Sequence, residues 1–276
     1  MISSSSTSTL PDVFADPGKL PCCPVCGAAC YLLDVIDFNR TCGDQTGSLL
    51  GLSGCPVYYV LCDGCGFCHA PQFSSWTKTD FRERIYNATY PLIDPDYLEK
   101  RPRTNADTLI ALFGTPPKGF RHLDYGGGNG GLSKRLRSAS WESMSIDPFA
   151  ADHEDLAALG KFELITAFEV FEHVVDIRTL LANLESLRAP NGLILFSTLV
   201  SDKDIGAGQR LTWWYAAPRN GHISLFSRKS LRLMGKQKGL QLGHFNEGLH
   251  MYFSVVPPWA SHLFQPKAPT QPLPIQ

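Results

Sequence analysis

The chain has 276 residues, of which 43% are hydrophobic and 18% are charged, a composition typical of a folded globular protein. Its formal net charge of −1 excludes the strongly basic character with which proteins bind nucleic acid or anionic membranes. We therefore expect a small-molecule partner, and neither nucleic acid nor a membrane.

The two ends of the chain differ in composition from the rest. Residues 1–20 are rich in serine and threonine and lack the basic start and apolar stretch of a secretory signal, so we expect a disordered N-terminus. Residues 257–276 form a proline-rich tail. No stretch of the sequence approaches the roughly 18 to 20 apolar residues of a membrane span, and a cytoplasmic location is the expectation. In that reducing compartment the nine cysteines are ligands or buried thiols rather than disulfides.

Two Cys-x-x-Cys pairs, each followed by glycine, stand in the first quarter of the chain: Cys23-Pro-Val-Cys26-Gly and Cys62-Asp-Gly-Cys65-Gly. Zinc prefers four soft ligands at the corners of a tetrahedron, and a tight turn lets both thiolates of a pair reach the same ion. The repeat predicts a structural Zn²⁺ held by these four cysteines. We expect a small zinc ribbon over residues 21–76, built on the strand-like segments YLLDVIDF and VYYVLC.

Two alternatives concern the ligands of this cysteine module. Cys22 could replace Cys23, although the repeated register favours Cys23. Residues 65–69, CGFCH, match the attachment signature of a c-type haem, a reading that a reducing compartment disfavours. The remaining cysteines are expected to be small buried residues: Cys30, Cys42, Cys55 and Cys68.

A glycine-rich segment, RHLDYGGGNGGLSKRLR, follows the break FGTPPKGF. It combines the end of an apolar strand, a cluster of glycines and a helical pattern, which predicts a β-loop-α unit whose loop approaches a ligand closely. Gly126, Gly128 and Gly131 also fit the dinucleotide fingerprint G-x-G-x-x-G, which alone is weak evidence. The spacing from Asp124 through Gly126 and Gly128 to Gly130 fits another pattern better.

The segment LDYGGGNG resembles the first motif of class I S-adenosylmethionine-dependent methyltransferases, in which an acidic residue precedes the glycine turn. The segments MSIDPF, FELITAFEVFEHV and LRAPNGLILFSTL resemble the second, fourth and fifth strands of that family. The resemblance implies an α/β fold with a doubly wound, mostly parallel, Rossmann-like sheet over residues 77–256, and S-adenosyl-L-methionine as cofactor. The implied cofactor-binding residues are Asp124, Gly126, Gly128, Gly130, Asp147, Phe168, Glu169 and Tyr86.

The positions of two residues along the sequence give further detail on the cofactor site. Asp147 ends the second strand, where a carboxylate could accept hydrogen bonds from both ribose hydroxyls. Only about fifteen residues separate it from the strand near Phe162, too few for a full strand and helix, so this unit is expected to be abbreviated. The adenine contacts are correspondingly poorly defined, with Phe149, Ala150 and Phe168 as candidates.

A long connection separates the fifth strand from a helix predicted over residues 227–239. Connections of this length in a compact domain usually have a function. We expect it to form an aromatic and hydrogen-bonding rim for a sugar-like or ring substrate, made by Trp213, Trp214, Tyr215 and Arg219.

With the ribbon in front, the segment GHISLFSRKSL resembles a group of class I enzymes that methylate nucleotide-linked deoxysugars. In that group a histidine ahead of an S-x-F-S helix entry serves as the base or lies beside it, which implies His222 here. The group's usual Tyr-His-Glu-His run is replaced by Pro-Arg-Asn-Gly-His. His173, after the fourth strand, is the second candidate base.

The sequence thus predicts an S-adenosylmethionine-dependent methyltransferase that acts on oxygen or carbon of a small molecule, a sugar or a sugar-containing metabolite. One alternative is an RNA methyltransferase whose ribbon recognises nucleic acid. Residues 22–76 argue against it, because they hold a single arginine against four aspartates. The other alternative is a non-catalytic scaffold that binds the cofactor but has lost its acceptor site. A nicotinamide enzyme is disfavoured, because an NAD-binding loop would not ordinarily place an aspartate two positions before its first glycine.

Overall fold

The computed structural model describes residues 20–47, 50–148 and 156–265. Most of the predicted disordered N-terminus, the end of the proline-rich tail, and the adenine candidates Phe149 and Ala150 lie outside the described residues. The described strands form two sheets, one of six strands and one of four.

The strands and helices alternate through the larger part of the chain. The strands are β1 (Cys30–Asp37), β2 (Pro56–Cys62), β3 (Cys68–His69), β4 (Arg121–Tyr125), β5 (Glu142–Ile146), β6 (Phe162–Phe168), β7 (Arg188–Ser197), β8 (Ser224–Leu225), β9 (Gln241–His244) and β10 (Leu249–Phe253). The helices are α1 (Lys78–Arg84), α2 (Tyr90–Ile93), α3 (Lys100–Phe113), α4 (Gly131–Ser138), α5 (Ile177–Leu187) and α6 (Arg228–Gln237). Within the described ranges no helix is long and apolar enough to cross a membrane.

The six-stranded sheet has the order β5-β4-β6-β7-β10-β9. Strands β5, β4, β6 and β7 are parallel, and β10 pairs antiparallel with both β7 and β9. From β4 the chain first moves outward to β5 and then crosses to β6 on the other side of β4. The strand order therefore reverses between β4 and β6, and open α/β sheets bind ligands at the carboxyl ends of the strands beside such a point.

Both faces of this sheet are covered, because the parallel strands carry apolar residues on both sides. In β6, Leu164 packs with Leu109 of α3 and Leu136 of α4 on one face. The next residue, Ile165, points to the opposite face and packs with Leu184 of α5. A mostly parallel sheet between two layers of helices confirms the fold class predicted from the glycine loop and the strand pattern.

The four-stranded sheet joins the cysteine module to the long connection after β7. Its order is β1-β2-β3-β8, and all neighbouring pairs are antiparallel. Cys68 pairs with Leu225 and His69 with Ser224, so the edge strand β8 comes from residues far along the chain. The residues predicted to form a separate ribbon therefore share a sheet with the segment that leads into α6.

The start of α6 agrees with the sequence. The Ser227 side chain accepts a hydrogen bond from the Ser230 backbone N–H at 3.0 Å, as expected of a helix cap. The same hydroxyl donates to the backbone oxygen of Cys65. The helix cap is thus also a contact with the second Cys-x-x-Cys turn.

Candidate functional site

A cavity of about 850 Å³ opens at the carboxyl ends of β4, β5 and β6, a volume within the range of small-molecule sites. One wall is the glycine loop between β4 and α4, and another is the segment after β6. A further part of the wall comes from α1, α2 and the start of α3. Of the predicted cofactor and catalytic residues, the cavity is lined by Tyr86, Asp124, Gly126, Gly128, Asp147, Phe168, Glu169 and His173.

The glycine loop is closely packed against its surroundings. A Cβ atom at Gly126 would lie 2.5 Å from a methyl carbon of Val170, and one at Gly127 would lie 2.2 Å from Oδ2 of Asp124. Gly126 and Gly128 also have φ angles of +77° and +53°, which favour glycine. The tightest position, Gly127, was not among the predicted residues, since the five glycines at positions 126–128, 130 and 131 carry no signal that singles it out.

Asp124 lies beneath this loop and is buried. Its Oδ1 accepts a hydrogen bond from the Thr166 hydroxyl at 3.1 Å. Burial, with a smaller effect from the negative charge of Asp147, raises the pKa of Asp124 to about 7. The residue borders the cavity and lies in close contact with the glycine loop.

Asp147 follows β5 at the edge of the cavity. Its Oδ2 accepts a hydrogen bond from the Gly128 backbone N–H at 2.9 Å, which ties the end of β5 to the glycine loop. Gly130 does not line the cavity and instead caps α4 with a φ of +72°. The carboxylate and the loop therefore form one continuous surface on which the ribose and amino-acid parts of a nucleoside cofactor could lie.

The segment after β6 carries an unusual backbone conformation. Glu169 has a φ of +53°, in the left-handed region that side chains other than glycine seldom adopt. The Ser197 hydroxyl donates to Oε1 of Glu169 at 2.7 Å and accepts from its backbone N–H at 2.8 Å. Strain of this kind is concentrated at binding sites, and Glu169 and its neighbour Phe168 both line the cavity.

A tyrosine and a histidine of the cavity wall lie next to each other. The Tyr86 hydroxyl lies 2.9 Å from Nδ1 of His173, at hydrogen-bond distance, and both residues line the cavity. Burial lowers the pKa of His173 well below its usual value, so the imidazole is neutral near pH 7. A neutral imidazole bonded to a phenol can take up a proton from a bound acceptor.

His222, the first candidate base, lies behind this pair. It is buried and does not line the cavity, and its Nδ1 is 2.9 Å from the backbone oxygen of Tyr215. Its ring is 4.9 Å from the ring of His173. The structure therefore brings the two candidate histidines together but places only His173 at the cavity wall.

The predicted substrate rim has to be corrected for position. Trp213, Tyr215 and Arg219 are buried and Trp214 is half-buried, and none of the four lines the cavity. The three aromatic residues pack in the core beneath β2 and β3. The Arg219 guanidinium donates to the backbone oxygen of Ile85 at 3.0 Å. Their aromatic and hydrogen-bonding groups stabilise the fold around the connection, because the connection folds inward against the cysteine module.

The cysteine module holds that connection in place. Its Arg40 guanidinium donates to the backbone oxygens of Leu211 and Thr212 at 2.6 and 2.7 Å. Its Tyr59 hydroxyl donates to the backbone oxygen of His222 at 2.6 Å. The module thus supports the residues directly behind the cavity wall.

The four predicted zinc ligands converge. Cys23 and Cys65 have Sγ atoms 3.6 Å apart, and those of Cys26 and Cys62 are 3.4 Å apart. All four sulfurs lie within 4.8 Å of one another. Tetrahedral Zn–S bonds of about 2.3 Å separate the sulfurs by about 3.8 Å, so the four thiols fit a single zinc ion, whereas a disulfide would require about 2.05 Å.

The alternatives at this module find no support in the geometry. Cys22 is exposed, while Cys23 is buried beside Cys65. Cys68 is fully buried in the core, which leaves no surface on which a haem could be attached beside it. Burial also raises the pKa of Cys68, as expected of an inert thiol.

Residues 97–244 match the sequence model of a family of methyltransferase domains, and these residues make up more than half of the chain. The chain therefore belongs to this methyltransferase domain family. It is similar to ubiquinone biosynthesis O-methyltransferases of Azorhizobium caulinodans (32% identity over 121 aligned residues, 34% of this chain and 48% of the relative) and of Bradyrhizobium diazoefficiens (30% over 102, 29% and 40%). The chain spans about half the length of these curated relatives.

Two solved structures from Burkholderia thailandensis resemble the chain. One is a 1,6-didemethyltoxoflavin-N1-methyltransferase with bound 1,6-didemethyltoxoflavin and S-adenosylhomocysteine (14% identity, TM-score 0.45, 67% of this chain and 93% of that one). The other is an O-methyltransferase family protein (12% identity, TM-score 0.46, 63% and 62%).

Proposed function

We propose that the protein is a methyltransferase that uses S-adenosyl-L-methionine to methylate a small-molecule acceptor. The observation that carries the proposal is one cavity, at the reversal point of the sheet, with a glycine loop and Asp147 in one part of its wall and the Tyr86–His173 pair in another. The first wall suits a nucleoside cofactor and the second suits the loss of a proton. Membership of the methyltransferase domain family supports this assignment of the two walls.

The cofactor side fits the group that the family implies. The backbone of residues 126–128 can approach the ligand without side chains in the way, and the Asp147 carboxylate stands where ribose hydroxyls can donate to it. Phe168 offers an apolar ring in the same wall. When bound, the cofactor supplies a methyl group on a positively charged sulfur, which is already a strong electrophile.

The acceptor side then has two tasks, alignment and removal of a proton. Methyl transfer is an in-line displacement, so the wall has to hold the acceptor at the correct distance and angle. We propose that the acceptor's proton passes to the Tyr86–His173 pair, while His222 supports His173 from behind. Relatives named O-methyltransferases support a hydroxyl oxygen as the methylated atom. A sugar or sugar-containing acceptor remains the class that the sequence resemblance implies.

Replacing Asp147 tests the cofactor side. In Asp147→Ala we expect S-adenosyl-L-methionine to bind about 10- to 150-fold more weakly, since a hydrogen bond to a charged group contributes about 1.5–3 kcal/mol. Isothermal titration calorimetry measures the change. Glu142→Ala, at the exposed opposite end of β5, is the matched control and should bind the cofactor as wild type does. Equal affinity in the two variants would remove Asp147 from the site.

We also propose that Cys23, Cys26, Cys62 and Cys65 hold one structural zinc ion. The convergence of four thiols at zinc-like spacing supports this proposal. The contacts from this module to residues 211–222 give the ion a role, because a folded module supports the segment behind the acceptor wall. The alternative of nucleic-acid recognition has no comparable observation in its favour.

Two cysteine variants separate a zinc ligand from a buried thiol. Cys62→Ser should lose most of the bound zinc, because a lost ligand opens a closed metal site and couples to folding. Cys68→Ser should keep about one zinc per chain, and burial of the hydroxyl should lower the free energy of unfolding by about 1–3 kcal/mol. Elemental analysis and thermal unfolding measure both effects. Zinc content that is the same in both variants would contradict the assignment, as would iron with a haem absorbance.

A further inference from the structure

A buried carboxylate without a hydrogen-bond partner lies behind the acceptor wall. Glu172 has no solvent exposure, and neither of its oxygens has a hydrogen-bond partner within the part of the chain that the structure describes. The hydroxyls of Tyr215 and Thr198 are close enough to influence it, but neither makes a hydrogen bond of normal geometry, and both hydroxyls also lack partners. Burying an isolated carboxylate costs several kcal/mol of free energy. A bound partner of opposite charge would offset this cost.

The protein itself supplies no such partner among the described residues. No lysine or arginine there lies within ion-pair distance of Glu172, and its nearest basic atom is Nε2 of His173, 3.8 Å from Oε1. A protonated carboxyl group would likewise make no hydrogen bond of normal geometry, because the nearby hydroxyls of Tyr215 and Thr198 are not aligned with it. A bound cation would satisfy the carboxylate directly.

Two imidazoles are oriented to complete a cation site. Ligand atoms of Glu172, His173 and His222 lie within 4.8 Å of one another. His222 holds its Nδ1 at 2.9 Å from the backbone oxygen of Tyr215, and a carbonyl can only accept, so the hydrogen is on Nδ1 and the lone pair on Nε2. His173 likewise uses Nδ1 toward Tyr86 and directs Nε2 toward Glu172. Imidazoles that bind metals usually make such a hydrogen bond through the other nitrogen.

We propose that Glu172, His173 and His222 form a binding site for a divalent cation of the zinc class, separate from the four cysteines. Two imidazole nitrogens and one carboxylate match the three-ligand sites that bind zinc and neighbouring metals and keep a further position open. Metal–ligand bonds of about 2.0–2.2 Å in tetrahedral geometry bring ligand atoms to about 3.4 Å from one another. The three ligand atoms, all within 4.8 Å of one another, are already near that spacing.

The site would link two parts of the fold at the cavity wall. Glu172 and His173 belong to the short turn after β6, while His222 belongs to the connection held by the cysteine module. A cation on Nε2 of His173 leaves the Nδ1 contact with Tyr86 intact, with Nδ1–H donating to the phenol oxygen. Proton uptake by the pair then belongs to the cation-free state, in which Nδ1 of His173 can accept the phenol's proton while the phenol oxygen takes the acceptor's. Cation binding itself does not depend on the proposed methyl transfer.

Cobalt titration of the full-length protein as purified, with the four-cysteine site already filled, tests the proposal. We expect one further equivalent of Co²⁺ to bind with the weak visible absorption of nitrogen and oxygen ligands, and without the intense thiolate charge-transfer bands that cobalt at the cysteines would give. Glu172→Gln and His222→Gln should each weaken this binding by more than about 100-fold, since even partners outside the ligand set change metal affinity by 10- to 100-fold. His244→Gln is the control, because His244 and His250 form a close histidine pair without a carboxylate. It should bind Co²⁺ as wild type does.

The results of the cobalt titration either support or overturn the cation site. Absence of the additional Co²⁺ equivalent in wild type overturns the proposal, as does an unchanged dissociation constant in both ligand variants. If Glu172→Gln fails to fold, His222→Gln carries the comparison, and the wild-type titration stands without either. If the wild-type protein binds cobalt but transfers no methyl group to any acceptor, the proposed function is contradicted and the cation site stands.

Discussion

Replacing Tyr86 by phenylalanine is expected to lower turnover by about 10²- to 10⁴-fold, the loss typical of an acid–base group, with the affinity for S-adenosyl-L-methionine nearly unchanged. The substitution removes one oxygen and keeps the ring that packs against Tyr90. That oxygen is the group at 2.9 Å from Nδ1 of His173 in the cavity wall. Without it, the acceptor's proton cannot pass through the phenol to Nδ1 of His173. Steady-state kinetics and cofactor calorimetry on the same preparation measure both quantities.

Tyr90→Phe is the matched control for this experiment. Tyr90 also lines the cavity, but its hydroxyl donates at 3.3 Å to the backbone oxygen of Asn220 and makes no contact with His173 among its described hydrogen bonds. Its removal should leave turnover within a few-fold of wild type. Equal effects of the two substitutions would indicate a packing role for both tyrosines. His222→Ala should have a smaller effect than Tyr86→Phe, because His222 lies behind the wall. The reverse order would restore His222 as the base.

Replacing Gly128 by valine should reduce the affinity for S-adenosyl-L-methionine by at least about 100-fold. Gly128 has a φ of +53°, and a Cβ atom there would lie 3.2 Å from the Tyr97 hydroxyl oxygen. A left-handed conformation costs a residue with a side chain about 1–2 kcal/mol, and a β-branched side chain adds further crowding. The loop would shift to relieve both, which also breaks the hydrogen bond from the Gly128 N–H to Asp147.

Gly119→Val separates the effect of backbone strain from the effect of a side chain placed in the cofactor loop. Gly119 has a φ of +84°, yet a Cβ atom there would meet no atom within 4 Å, and the residue is exposed before β4. The control should therefore lose some stability, by the same backbone strain, and retain cofactor affinity. Cofactor binding that is lost equally in both variants would show that global unfolding, rather than the loop, is responsible.

The features that could be predicted from sequence depend on residues close together in the chain. The glycine loop between β4 and α4 is a local motif whose backbone conformation is set by the glycines themselves, and Asp147 directly follows the next strand. The serine cap of α6 at Ser227 is equally local. Local rules of this kind apply whatever the rest of the chain does, so they indicated the fold class and the cofactor wall.

The position of the long connection could not be predicted in this way. Trp213 and Arg219 were expected at the cavity rim, because aromatic and basic residues in a long loop are typical of a binding surface. Their burial results from β8, which adds to the sheet of the cysteine module by pairing with Cys68 and His69. A two-residue strand gives no periodic signal, and its partner is more than 150 residues away in sequence. The part of the cavity wall away from β4 and β5 was therefore predicted only through Tyr86 and His173.

Calorimetric titration of the wild-type protein with S-adenosyl-L-methionine, and separately with NADH, tests the central claim most directly. Both ligands place a ribose and an adenine beside a glycine loop, so the comparison isolates the kind of chemistry that the cavity serves. We expect binding of S-adenosyl-L-methionine, weakened in Asp147→Ala and at least about 100-fold weaker in Gly128→Val, and no comparable binding of NADH. Tight binding of NADH without binding of S-adenosyl-L-methionine would contradict it.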